Sequence, residues 1–268
     1  MAAYKDLVGQ KITKVTSNPG EPKTGQMWYN STAGNLKGLS VLEAFSAGGA
    51  ASTARWGASS FGIQTAGVMA VGNTATARTG VTEEYNGSGF STGGTAGTAR
   101  YRGGGAGTET AGLIFGGESP GGDTGDTEEY NGSSWSEQND LTTTRDKLGG
   151  CGTQTAGLGF GGQTSTALVG NTEEYDGSSW SEQNDINTVR NQLGGAGTQT
   201  AGLAFGGQLP PNAMSNATEE YDGTSWTSGN NMGTGRRLMG GGGIQTSAFG
   251  AGGYIDGSGN QTATEEYD

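Results

Sequence analysis

Histidine is absent from the 268 residues and cysteine occurs once, at Cys151. The first absence removes the commonest general base and metal ligand; the second excludes an internal disulfide framework and a cysteine-rich zinc site. Cys151 reads as a small packed residue, because Ala106 and Ala196 stand at the matching places of a repeat described below. Five prolines are too few for collagen despite 56 glycines, and a 31% apolar share is too small for a large helical core. Basic residues are outnumbered, 14 against 26 acidic, and the net charge of −12 leaves no electrostatic footprint for nucleic acid. No run approaches the roughly 18 apolar residues of a membrane span, and Met1-Ala-Ala-Tyr-Lys-Asp lacks the apolar core of a signal peptide. Synthesis in a cytoplasm without membrane insertion is the expectation. Low hydrophobicity with high charge also suits a disordered chain, and periodicity decides against it.

Thr-Glu-Glu-Tyr occurs five times, with tyrosines at Tyr85, Tyr130, Tyr175, Tyr221 and Tyr267, spaced by 45, 45, 46 and 46 residues. Five positions after the first four stands an aromatic: Phe90, Trp135, Trp180 and Trp226. Ten residues later comes an arginine, Arg100, Arg145, Arg190 or Arg236, and a glycine-rich run follows each. Gly-Gly closes that run at Gly116, Gly161, Gly206 and Gly252, with Val71-Gly72 in the first copy. The last copy stops at Asp268, before its aromatic. The complementary piece stands at the other end, where Phe45 precedes Arg55 by ten residues, so Leu39–Ser46 is in register to be the missing strand. A closed ring needs such a complementary break; an open stack needs capping repeats instead.

Within one period the pattern reads as four short strands, in the third full copy about Gln192–Thr198, Ala201–Gly206, Thr218–Asp222 and Ser225–Ser228. Glycine and alanine in the first strand suit a crowded axis, although Gly-Gly-Ala-Gly also reads as a flexible loop. The expected fold is all-β: a five-bladed propeller over 39–268, its last blade closed by a strand at about 39–46, with a short arm at 1–38.

These residues resemble kelch-repeat β-propellers: Gly-Gly ending the second strand, then Tyr, Trp, and Arg before the next blade. The shorter Tyr-to-Trp spacing departs from the usual kelch pattern. The phrase Glu-Glu-Tyr-Asn/Asp-Gly-Ser-Ser-Trp is similar to kelch-like repeats of bacteriophage virion proteins, and Gly25-Gln-Met-Trp-Tyr-Asn-Ser31 is similar to a phrase in phage tail-fibre proteins.

One Tyr and one aromatic per blade, Phe45 included, are expected to fill the gap between neighbouring sheets. Asn86-Gly87, Asn131-Gly132, Asp176-Gly177 and Asp222-Gly223 suit tight hairpins. Adjacent glutamates on a strand point to opposite faces, so one of each pair is expected toward a neighbouring blade and the other outward, an arrangement that cannot flank one scissile bond. Arg55, Arg100, Arg145, Arg190 and Arg236 fall where each blade leads into the next. Two readings stand: a ring of donors at one channel mouth for an anion or acidic peptide, or a pairing of each Arg with a Glu of its own blade. The loops after the second strands differ between copies, with Pro210 and Asn212 in one and Asp256 in another, as recognition or unselected drift would both leave them.

Residues 1–38 carry five of the lysines. Gly25–Lys37 reads as strand, turn and strand, and Met27, Trp28 and Tyr29 are expected to anchor to a virion or neighbouring subunit, or to cover the propeller's own edge. The expectation for function is a non-enzymatic phage virion component without cofactor or metal, in tail fibre, neck or capsid decoration, with virion proteins, a host surface component or further copies of itself on the particle as partners. The alternative is an intracellular kelch adaptor that binds an acidic peptide at the arginine ring.

Overall fold

A computed structural model describes residues 13–15, 27–32, 35–38 and 48–268, and every described element is a β-strand. The expected closing strand at 39–46, with Phe45, lies outside the described residues. Two compact units divide the chain, Met1–Ala47 and Gly48–Asp268, a boundary later than the one expected after residue 38.

In the first unit Met27–Asn30 and Asn35–Gly38 form the expected hairpin, with Tyr29 opposite Leu36. The Asn30 side chain accepts from Thr32 N–H at the turn. A third strand, Thr13–Val15, runs parallel to Met27–Asn30, so the stretch holding Met27, Trp28 and Tyr29 is the centre of a three-stranded sheet.

The second unit comprises five blades arranged as a β-propeller. Blade 2 is typical: Gly104–Thr108, Ala111–Phe115, Thr127–Tyr130 and Trp135–Gln138 pair antiparallel in sequence order. Blades 1, 3 and 4 repeat it from Ser59, Gly149 and Gly194; blade 5 has three described strands, Gly240–Ile244, Ser247–Ala251 and Thr264–Tyr267. Each last hairpin sets Tyr opposite its aromatic, as Tyr175 opposite Trp180. At its turn the Asp176 carboxylate accepts from the Ser178 hydroxyl and from the Ser179 and Ser178 N–H groups, and these bonds hold its pKa down to about 2.

The core lies between the sheets. Trp180 packs against Phe115 of the preceding blade at 4.7 Å and its own Tyr175 at 5.1 Å, and its indole N–H donates to Thr127 Oγ1 at 2.9 Å. Trp226 repeats this with Phe160, Tyr221 and Thr172. Such rings supply apolar area with one polar handle, which suits a small core. Close approach requires glycine along the axis: a Cβ on Gly105 would lie 2.9 Å from Ser60 O, and one on Gly195 would lie 2.7 Å from Gly150 O. The strand-ending Gly116, Gly161, Gly206 and Gly252 have φ between 61° and 65°, and Val71 adopts φ 54° at the same place in blade 1.

Between blades 5 and 1 the pattern stops. Ser60, Gly62 and Ile63 in blade 1 and Gly240, Gly241, Gly243 and Ile244 in blade 5 are exposed, whereas Gly104, Gly149 and Gly194 are buried. A cavity of about 130 Å³ beside Phe205, Thr218 and Tyr267 lies where Phe160, Thr172 and Tyr221 hold Trp226 one blade earlier.

Candidate functional site

The repeated arginines do not form a ring of donors at a mouth. Arg100, Arg145, Arg190 and Arg236 are at most 1% exposed, and the Arg55 side chain is equally enclosed. Each pairs with the first glutamate of its own blade: Arg55 with Glu83 at 2.6 Å, Arg100 with Glu128 at 2.6 Å, Arg145 with Glu173, Arg190 with Glu219 at 2.6 Å, and Arg236 with Glu265 at 2.9 Å. The same carboxylates accept backbone N–H groups of the connecting segment, as Glu173 does from Thr142 at 2.7 Å. A guanidinium is buried only when paired, so the residue that register places at a crossing is a clamp holding that crossing to the third strand.

In blades 1 to 4 the second glutamate does not turn outward, whereas Glu266 in blade 5 is exposed, as expected. Glu129 accepts from Tyr175 Oη of the next blade at 3.0 Å, Glu174 from Tyr221 at 3.1 Å, and Glu84 from Tyr130. Where a following blade covers the sheet, alternation along the strand sends neither side chain to solvent. Burial first, then the Glu84 bond, pushes the Tyr130 phenol up to about 12. Glutamine adds a third link: Gln199 Nε2 donates to Gly157 O and Tyr175 O in the preceding blade, and Gln154 and Gln245 repeat this. Cys151 is buried, which pushes its thiol up to about 12.

The remaining expected residues lie on separate loop tips. Pro210 and Asn212 are exposed between the two-residue strands Gln208–Leu209 and Ala213–Met214. Asp256 is exposed between Tyr254–Ile255 and Gly259–Asn260 and pairs with Arg237 at 3.1 Å. Blades 1 and 3 have threonine-stabilised turns instead, with Thr74 and Thr164 each bonding the alanine three residues on. Asp126, Glu137 and Asp140 bring carboxylate oxygens within 4.8 Å of one another, two of the three residues being exposed. Burial, then Glu128 and Asp126, raises Glu137, and no buried unpaired ligand adds to the cluster.

Sequence reasoning missed the mouth of the ring. Two residues after each repeated arginine stand Gly57, Arg102, Lys147, Gln192 and Leu238, all with φ between 54° and 64°. Their backbones bond in series: Arg102 N–H to Gly57 O at 2.6 Å, Lys147 to Arg102 at 2.8 Å, Gln192 to Lys147 at 2.8 Å and Leu238 to Gln192 at 3.0 Å. These residues, with Trp56, line a cavity of about 440 Å³. Of the nine cations in this unit, five are the clamped arginines; Arg78, Arg102, Lys147 and Arg237 are the rest. Arg102 stacks over Trp56 at 4.9 Å and Tyr101 at 4.6 Å. Behind it Asp146 is fully buried and its carboxylate accepts no hydrogen bond, with Lys147 Nζ at 3.6 Å and Arg102 at 3.7 Å. The signal available in sequence was a position with fixed spacing but unlike residues. No protein-family model matches the chain, and no curated protein matches it.

Proposed function

We propose that the protein is a non-enzymatic structural and binding component of a bacteriophage particle, of tail-fibre, neck or capsid-decoration type. The observation that carries this reading is a set of near-identical blades bearing unlike exposed loops, a rigid scaffold with variable tips. The similarity of the Glu-Glu-Tyr and Gly-Gln-Met-Trp-Tyr-Asn-Ser wording to virion proteins supplies the setting. The arm at 1–38, through Met27, Trp28 and Tyr29, attaches to the particle, and the loops carrying Pro210, Asn212 and Asp256 meet host surface or neighbouring virion proteins. Absence of histidine and the raised thiol of Cys151 support a binding role over catalysis. The adaptor alternative loses its contact surface, because the arginines it requires are spent within the blades.

The test is composition and incorporation. Purified particles are expected to contain the chain in several copies, and a variant lacking 1–38 is expected to stay folded yet fail to join them. Particles without the chain would overturn the reading; incorporation of the shortened chain would overturn the anchor alone.

A further inference from the structure

We propose that the mouth of the propeller binds an acidic sugar, with Arg102 and Lys147 on its carboxylate and Trp56, Leu193 and Leu238 against its ring. The inference stands on the cavity and does not depend on residence in a particle. A volume of about 440 Å³ falls in the range of small-ligand sites. Among the described residues Arg102 and Lys147 are the only ionised ones lining it, and Gln192 adds an amide. Trp56 is 49% exposed and Leu238 58%, so the cavity offers an amphipathic platform beside a cationic one, the pairing a pyranose carboxylate needs. Gly57 N–H begins the backbone series and donates to no residue, leaving a further donor at the rim. The acids around the cations select for low charge: Glu118 lies 3.5 Å from Arg102, and Asp146 is shared by Arg102 and Lys147. A single carboxylate is tolerated there, while a dianionic phosphate or a polyanion meets repulsion from Glu118, Asp146 and the −12 of the chain.

Asp146 makes this site pH-sensitive. Its charged surroundings are Lys147, Asp123, Arg102 and Glu118, and burial pushes its carboxyl up to about 6. Below that pH it is neutral and no longer holds either cation; above it, its carboxylate competes with the ligand.

Isothermal titration of the full chain with glucuronate, glucose and inorganic phosphate at pH 5 and pH 8 tests the assignment. Glucuronate is expected to saturate in about the millimolar range, about threefold to tenfold tighter at pH 5 than at pH 8. Glucose at both pH values, and phosphate at pH 8 where it is a dianion, are expected to bind at least about tenfold more weakly than glucuronate. Arg102→Ala with Lys147→Ala is expected to lose at least about tenfold in affinity, with the thermal midpoint showing that the fold persists. Asp146→Asn copies Asn191, the residue at the same place in the next blade, and is expected to bind at pH 8 as the parent does at pH 5. No saturation by about 50 mM glucuronate, equal binding of glucose, tighter binding of phosphate at pH 8, or an unchanged pH dependence in Asp146→Asn would each overturn the proposal.

Discussion

Gly195 shows how little room the axis leaves. Its missing Cβ would meet Gly150 O at 2.7 Å and the Phe160 ring at 2.9 Å, and a backbone carbonyl cannot rotate away. Gly195→Ala is expected to cost about 2 kcal/mol or more, measured by denaturant unfolding, whereas Gly89→Ala, with no atom within 4 Å of the new carbon, stays within about 0.5 kcal/mol. Asp146 gives a second prediction at this scale. Its folded pKa of about 6 lies above the unfolded value of about 3.9, so the folded state keeps a proton that the unfolded chain releases between those values. That stability is present below pH 4 and lost as pH rises through 6. Asp146→Asn is therefore expected to match the parent at pH 4 and exceed it at pH 7 by about 1–2 kcal/mol, solvent screening reducing the full effect. Thermal unfolding at the two pH values measures this.

The blade is the element from which the propeller is assembled, and its links explain what the sequence could show. Strand positions were legible to within a residue or two, because Thr-Glu-Glu-Tyr and the aromatic recur with constant spacing and Asn-Gly or Asp-Gly marks the turn between them. The fate of each charge was not. Glu173 and Glu174 look alike in sequence, yet one closes on Arg145 within its blade and the other accepts from Tyr221 in the next. Alternation separates the two side chains but does not say what lies beyond each face. The mouth escaped notice for a different reason: Arg102, Lys147, Gln192 and Leu238 share a backbone conformation that none of their side chains signals. Thr13–Val15 escaped because parallel pairing joins distant residues without a turn to announce it. Removing one link tests the unit: Tyr175→Phe leaves the Glu129 carboxylate without its 3.0 Å donor and is expected to cost about 1–2 kcal/mol, with the denaturant slope unchanged.

For the whole molecule the repeated phenols set an alkaline limit. Tyr130 is raised to about 12 and Tyr175 and Tyr221 are raised as well, each first by burial, against an unfolded value of about 10. Protons held by the folded state are thus lost from the unfolded chain first, and the stability they carry fades between about pH 10 and 12. The Cys151 thiol, about 12 when folded and about 8.5 when unfolded, starts that decline earlier. The thermal midpoint is expected to fall gently above about pH 8.5 and steeply above about pH 10. Cys151→Ala, copying Ala106 and Ala196, is expected to remove the gentle part alone.

The loops enter and leave the blades at fixed points, and every loop after a second strand ends at the same Thr-Glu-Glu-Tyr. A genetic crossover within that shared stretch joins the front of one copy to the back of another in frame, with the clamp and phenol partners restored. Such an exchange changes the number of copies or the order of the tips while keeping the Arg–Glu clamp and the repeated phenol of each blade. The repeated core is therefore a cassette for inheritance, in which new surfaces arise by shuffling whole loops rather than by accumulating substitutions within them.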